Sequence, residues 1–198
     1  MQKKVASQLL PRVKSPSRYI GGEINQIKKP LPDTMLTFAL CFPDIYEIGS
    51  SNTGFAVLYE VINALPFAAA QRCFAPWLDA ENIMRKNIPL FTLESKAPLS
   101  EFDIIGFSLT NELCITNMLN MLDLAKLPLK TADRTDDHPL IVAGGQMANS
   151  AEPIAPFADI FILGQGENAI VEFLEFYKSL KQQNFPRRET LEKIARQF

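Results

Sequence analysis

Asp44, Tyr46 and Gly49 stand in the stretch FPDIYEIG (42–49), a D-x-Y-x-x-G pattern between an apolar run and an amphipathic one. In an open α/β sheet, such a strand-to-helix corner is where ligands bind. Three further stretches carry small and polar residues in the same position. They are SLTNE, with Ser108 and Thr110, AGGQMANS, with Gly144 and Gly145, and GQGEN, with Gly164, Gly166 and Glu167. Each follows an apolar run of strand length. Each offers Gly, Ser, Thr or Asn where a large apolar group would block a ligand. If the runs are parallel strands of one sheet, the four stretches share its C-terminal edge and argue for a binding site.

The remaining reactive residues point to binding rather than to acid–base or nucleophilic catalysis. The one histidine, His138, lies in the polar stretch TADRTDDHP. It is either a solvated loop residue or, beside two aspartates, a metal contact. Histidine-based general bases and triads therefore have little to build on. Cys41, Cys73 and Cys114 are far apart, with no disulfide framework and no CxxC spacing. Cys41 and Cys114 sit among apolar residues and read as core thiols.

The four stretches each allow two readings. GQGENA (164–169) matches G-x-G-x-x-A. A dinucleotide fingerprint belongs at the first strand–helix turn, however, and this one follows the last strand. Glu167 suits the first turn of a helix, where an acid complements the dipole, or a ligand contact. Gly144 and Gly145 serve either a tight turn needing positive φ or close approach by a ligand. Ser108 and Thr110 either cap the next helix or point into a cleft. Asp44 is otherwise a turn residue. Phosphate chemistry has no GxxxxGK[ST] and no lysine in these loops. A receiver-type acidic site would need more than Asp44 alone.

The elements that position these residues follow from periodicity. MLTFALCF (35–42), FDIIGFSL (102–109), PLIVAGG (139–145) and ADIFILG (158–164) read as buried strands, with QRCFA (71–75) as a short one. LFTLES (90–95) reads as a further extended piece. Phe55, Leu58, Ile62 and Leu65 fall in helical phase before Pro66. DAENIMRKN (79–87), with Asp79 as N-cap, NELCITNMLNMLDLA (111–125) and ENAIVEFLEFYKSLKQQ (167–183) supply more helices, and PRRETLEKIARQF looks helical but poorly buried. Alternating strands and helices imply a doubly wound parallel α/β sheet of about five strands with right-handed crossovers. Residues 1–33, rich in Lys, Arg, Ser and Pro, read as an extended N-terminal arm. Residues 34–183 form the α/β domain, and residues 184–198 form a C-terminal linker or helix.

Composition sets the remaining bounds. The 198 residues are 47% apolar and 21% charged with a net charge of −2, an ordinary globular balance. That charge leaves no footprint for nucleic acid or anionic lipid. No apolar run approaches the about 20 residues of a membrane span, and MQKKVASQLLPRV lacks a signal-peptide core. The expected location is the cytoplasm.

The order of the loops resembles a known pattern. Cobalamin (B12)-binding domains of the flavodoxin-like (Rossmann-like) type, the fold this resemblance implies, carry D-x-H-x-x-G after the first strand, S-x-L or S-x-T after the third and G-G after the fourth. Asp44-x-Tyr46-x-x-Gly49, Ser108-x-Thr110 and Gly144-Gly145 match in type and order. GQGE, from Gly164 to Glu167, is similar to the GEGE of such domains attached to radical SAM enzymes. SRYIGGEIN, FAPWLDAE, PLFTLES and FDIIGFSLTNEL resemble, more narrowly, the N-terminal region of an uncharacterised radical SAM family, over about Ser17 to Tyr177. The resemblance implies a cobalamin-binding module, with Asp44, Tyr46, Gly49, Ser108, Thr110, Gly144, Gly145, Gly164, Gly166 and Glu167 as cofactor contacts and no metal ligand or catalytic residue.

Two departures qualify it. Tyr46 replaces the histidine that ligates cobalt from below, and a phenol with pKa near about 10 is a poor ligand. The implied cofactor is therefore base-off cobalamin without a histidine ligand, or the domain has lost it and serves as a cofactor-free docking module. The C-x-x-x-C-x-x-C motif is also missing. In relatives it holds the [4Fe–4S] cluster that binds S-adenosylmethionine, on a following radical SAM core domain. The resemblance implies an N-terminal fragment or split product, partnered by that core in cis or as a separate chain and inactive alone.

Overall fold

The computed structural model describes residues 1–29 and 36–198. Met35 and the boundary drawn at 33/34 lie outside the described residues. Five strands form one sheet: β1 (Leu36–Phe42), β2 (Ala68–Phe74), β3 (Ile104–Ser108), β4 (Leu140–Gly144) and β5 (Ile160–Ile162). Their order is β2-β1-β3-β4-β5 and every pairing is parallel. This is the doubly wound, flavodoxin-like arrangement, with its switch point between β1 and β3.

Alternation along each strand sorts side chains between two cores. In β1, Ala39 and Cys41 face one side, and Leu36, Phe38, Leu40 and Phe42 face the other. Helices α1 (Thr53–Ala64), α4 (Gly166–Gln182) and α5 (Arg187–Gln197) cover the second side with Phe55, Ile62, Phe173, Leu174 and Ile194. Helices α2 (Leu78–Asn87) and α3 (Leu113–Leu124) cover the first with Met84, Met118 and Leu122. Helix α1 starts where the Asn52 side chain accepts from the Phe55 N–H at 2.9 Å and stops before Pro66. Helix α5, poorly buried by sequence reading, seats Thr190 and Ile194 and sets Phe198 edge-on to Phe176.

Four local readings change. Over residues 2–20 the chain makes short helical turns, Gln2–Lys4, Val5–Leu9, Leu10–Arg12 and Ser17–Ile20, rather than an extended arm. Val5, Leu9 and Val13 recur every four residues and bury one apolar stripe in the α2–α3 core. Asp79 does not cap α2. Trp77 holds the cap position, and Asp79 Oδ2 instead accepts the Lys14 N–H at 2.8 Å, tying down the N-terminal segment. Strand β2 begins three residues before QRCFA, because Ala68–Ala70 are small enough to be buried on both faces.

The fourth concerns LFTLES, which is a turn rather than a strand, with only an isolated bridge from Phe91 to Pro98. It blocks the outer edge of β2. The Leu93 N–H donates to the Arg72 carbonyl at 2.7 Å, and Glu94 Oε2 accepts the Arg72 N–H at 2.7 Å. Among the described residues no helix is long and apolar enough to cross a membrane.

Candidate functional site

The C-terminal ends of β1, β3, β4 and β5 open into a cavity of about 170 Å³ between α1 and α4. Ser108, Gly144, Gly145, Gly164, Gly166 and Glu167 line it, six of the ten residues singled out in the sequence. Its walls are apolar, from Leu40, Leu58, Ile62, Val142, Ile162 and Ile170. At its floor the Phe38 ring lies against Gly106, where a Cβ would run into that ring. A cavity with an apolar floor and a rim of backbone, one hydroxyl and one carboxylate suits a flat, mostly apolar group with a polar end.

The glycines in this corner do different work. Gly145 has φ +99°, and a Cβ there would stand 2.5 Å from the Leu109 carbonyl oxygen. The neighbouring strands are joined closely at this point: the Leu109 N–H donates to the Gly144 carbonyl at 2.7 Å and the Met147 N–H to the Leu109 carbonyl at 3.1 Å. Gly145 is thus a backbone requirement. Gly144 is not, since its φ is ordinary and a Cβ would meet only Ile162, at 3.7 Å. A side chain there is absent for the sake of space. Gly164 has φ +81° and nothing within 4 Å of a Cβ. Gly166 and Glu167 open α4, whose N-cap Gln165 makes no side-chain bond. Glu167 is therefore both a first-turn acid and a cavity residue.

Ser108 and Thr110 separate. Neither caps α3, because Asn111 Oδ1 accepts the Leu113 N–H at 3.0 Å. Ser108 faces the cavity, whereas Thr110 turns to Cys114, with Oγ1 and Sγ 3.5 Å apart.

The β1 corner is closed. Asp44 Oδ1 accepts the Ile45 N–H at 2.7 Å, and its carbonyl accepts from Ala75 at 2.9 Å. Tyr46 sets its ring edge-on to Phe74 and donates its hydroxyl to Glu23 Oε1 at 2.9 Å. Burial first, and then that bond to Glu23, push the phenol pKa up. Gly49 packs on Phe74 and Phe42, leaving no room for a Cβ. None of these three residues lines the cavity.

Behind Tyr46 lies a charge network that the sequence reading missed. Arg72 donates through Nε to Glu94 Oε1 at 2.7 Å and through Nη2 to Glu23 Oε2 at 2.9 Å. Its guanidinium stands 4.9 Å from the Tyr59 ring centre. Burial alone would raise the Glu23 carboxyl pKa; the Glu23 backbone N–H and the Arg72 charge outweigh it and hold it below the usual range. An arginine inside an apolar strand was the available signal, since such a charge needs a partner. The cavity residues Gly54, Gly106, Leu58 and Phe38 were also missed, because helix and strand periodicity assigns them to the core.

Cys41 and Cys73 are register partners on β1 and β2, and all three cysteines are buried. His138 Nδ1 accepts the Thr135 N–H at 3.0 Å. Among the described residues no group of three or more His, Cys, Asp or Glu could hold a metal ion.

No curated protein matches this chain. The model of the family described as radical SAM proteins, N-terminal, matches residues 54–197, from the first turn of α1 to the end of α5. This chain therefore belongs to the N-terminal domain family of radical SAM proteins.

Proposed function

We propose that this chain is a cobalamin-binding-like module of a radical SAM protein. The observation that carries the reading is the glycine-rimmed, apolar cavity at the C-terminal sheet edge. At about 170 Å³ it is close to cavities of about 150 Å³ that admit one aromatic ring, and far too small for a corrin. It is therefore matched to the aromatic base of cobalamin's nucleotide tail alone, with Ser108, Gly144, Gly164, Gly166 and Glu167 as that base's contacts. Tyr46 would give the lower face of the cofactor no ligand. Tyr46 is committed to Glu23, and its raised pKa keeps the phenol protonated. The residues thus suit a base-off cofactor without a histidine.

Cobalamin, when bound, supplies the methyl-transfer or radical chemistry that side chains lack. The protein's share is to seat the tail, exclude water with Leu58, Ile162 and Ile170, and fix the corner through Gly145. The radical-generating [4Fe–4S] cluster and S-adenosylmethionine belong to a radical SAM core, in cis or as a separate chain. The three buried cysteines here lack its C-x-x-x-C-x-x-C spacing.

A second reading, a cofactor-free docking module, draws on a different observation. Ile48, Trp77, Leu78, Leu113 and Leu163 all follow strands along the same edge and are 45–79% exposed. Exposed apolar residues on one side of a molecule mark a contact surface. Titration with hydroxocobalamin separates the two readings. Co-elution on gel filtration with a base-off spectrum is expected; an unchanged spectrum and separate elution would leave only the docking module.

A further inference from the structure

Three segments are clipped together at the corner where β1 and β2 end. Arg18 donates through Nε to Glu47 Oε1 at 2.8 Å, and its guanidinium lies 5.3 Å from the Trp77 ring centre. The Tyr19 hydroxyl accepts the Trp77 N–H at 3.0 Å, and the Tyr46 hydroxyl donates to Glu23 Oε1 at 2.9 Å. These bonds set residues 18–24, 46–48 and 77–78 side by side. Around them Ile20, Ile48, Trp77 and Leu78 are 45–68% exposed, and Ile24 is entirely exposed. The loop that presents the first and last of these isoleucines is pinned. Gly21 and Gly22 have φ +66° and +86°, and a Cβ on Gly21 would stand 2.7 Å from the Leu93 carbonyl oxygen. A face held in place before it binds loses little entropy on binding.

Size and charge together name the occupant. At roughly 200 Å² for a whole residue of this kind, the five present on the order of 600 Å² of apolar surface, against the ~800 Å² per partner of a standard interface. Arg18 and Glu47 at the margin supply much of the remainder. The patch carries one cation and one anion, so it has no excess charge with which to select a partner of one sign. Among the described residues, the one side-chain hydrogen bond of Arg18 uses Nε, which leaves both Nη groups as donors. Glu47 likewise keeps Oε2, on a side chain that is 49% exposed. A cation beside an anion is self-complementary. A two-fold axis through the patch sets Arg18 of each copy against Glu47 of the other and the apolar residues against their equivalents.

We propose that this face joins two copies of the chain in a two-fold dimer. Ile24, Trp77 and Leu78 form its centre, and reciprocal Arg18–Glu47 pairs form its margin. A tryptophan among aliphatic side chains, with an arginine beside it, is the make-up of residues that dominate interface energies. None of these residues lines the glycine-rimmed cavity, so the dimer stands apart from the cobalamin reading.

Trp77 is the single tryptophan of the chain, so its fluorescence reads this face alone. The test follows sedimentation equilibrium and tryptophan emission of the full chain as its concentration rises. An interface somewhat below standard size should give a Kd of about 1–100 µM. Emission should move to the blue in step with the dimer, because the indole leaves water. Ile24→Asp alters a fully exposed residue, and Leu78→Asp places an acid at the first position of α2, where the helix dipole favours it. Neither change threatens the fold, and each should weaken dimerisation at least about tenfold. A chain that stays monomeric at ~200 µM leaves the face to a different protein and overturns the proposal. So does a dimer that forms without moving the Trp77 emission, or one that both variants leave intact.

Discussion

Two corners of one sheet edge begin from the same sequence signal and end differently. After β1, Asp44, Tyr46 and Gly49 close on Phe74, Glu23 and the Arg72 network behind them. After β4 and β5, Gly144, Gly145, Gly164 and Gly166 leave a cavity. What separates the two is the neighbour rather than the motif. The β1 corner adjoins β2, an edge strand covered by the residue 90–95 turn and the N-terminal segment. Among the described residues, α1 and α4 flank the β4 and β5 corner, with small residues on both sides. A glycine after a strand is thus a packing requirement at Gly49, where aromatic rings lie over it, a backbone requirement at Gly145, and an opening at Gly144.

The comparison can be broken most forcefully at the closed corner. Glu94 is the principal partner of Arg72, with both side chains under 10% exposed. Glu94→Gln should cost about 3–5 kcal/mol in chemical denaturation by stranding a buried charge. A loss below about 1 kcal/mol would mean that Glu23 alone holds that corner. Gly145→Ala should cost about 2 kcal/mol, from positive φ and contact with Leu109. Gly144→Leu should cost less than about 1 kcal/mol, as its φ is ordinary and the space is open. The same variant should abolish retention of cobalamin on gel filtration, and retained binding would detach the cavity from that cofactor.

Smaller effects test whether the closed corner touches the ligand. Tyr46→Phe should lose about 1 kcal/mol for one hydrogen bond and leave cobalamin binding unchanged. A change in binding would bring Tyr46 back into the site. The smallest effect is in the pH profile. The folded Glu23 carboxyl pKa lies below its ordinary value of 4.5, so its stabilisation is complete above that value and is lost as pH falls through the folded pKa. Glu23→Gln should flatten the acid limb of the denaturation midpoint measured against pH.

Much of the fold was legible because its strands are continuous apolar runs. LTFALCF and IIGFS, buried on both faces, can be little else in a chain where helices alternate with them. Ser108, Gly144, Gly145, Gly164, Gly166 and Glu167 were legible as one cluster because parallel topology alone brings those loops to one edge. The rest depended on pairings that sequence spacing does not encode. Asp79 read as a cap because its local neighbours suit one, while its partner, the Lys14 N–H, lies 65 residues away. Tyr46 read as facing the cofactor, whereas its hydroxyl partner, Glu23, belongs to a segment that read as an extended arm. Gly106 and Phe38 make the cavity floor through van der Waals contact between β3 and β1, which leaves no periodicity to read.

The N-terminal segment has a consequence for synthesis. Val5 and Leu9 are translated before the core that buries them, which is built with α2 and α3, whose last residue is Leu124. Glu23 waits for Arg72, 49 residues later, and Lys14 for Asp79. These residues are therefore translated well before the elements they dock on, and their apolar stripe stays exposed until α3 has emerged. Residues 1–29 thus act as a latch that closes onto elements made after them.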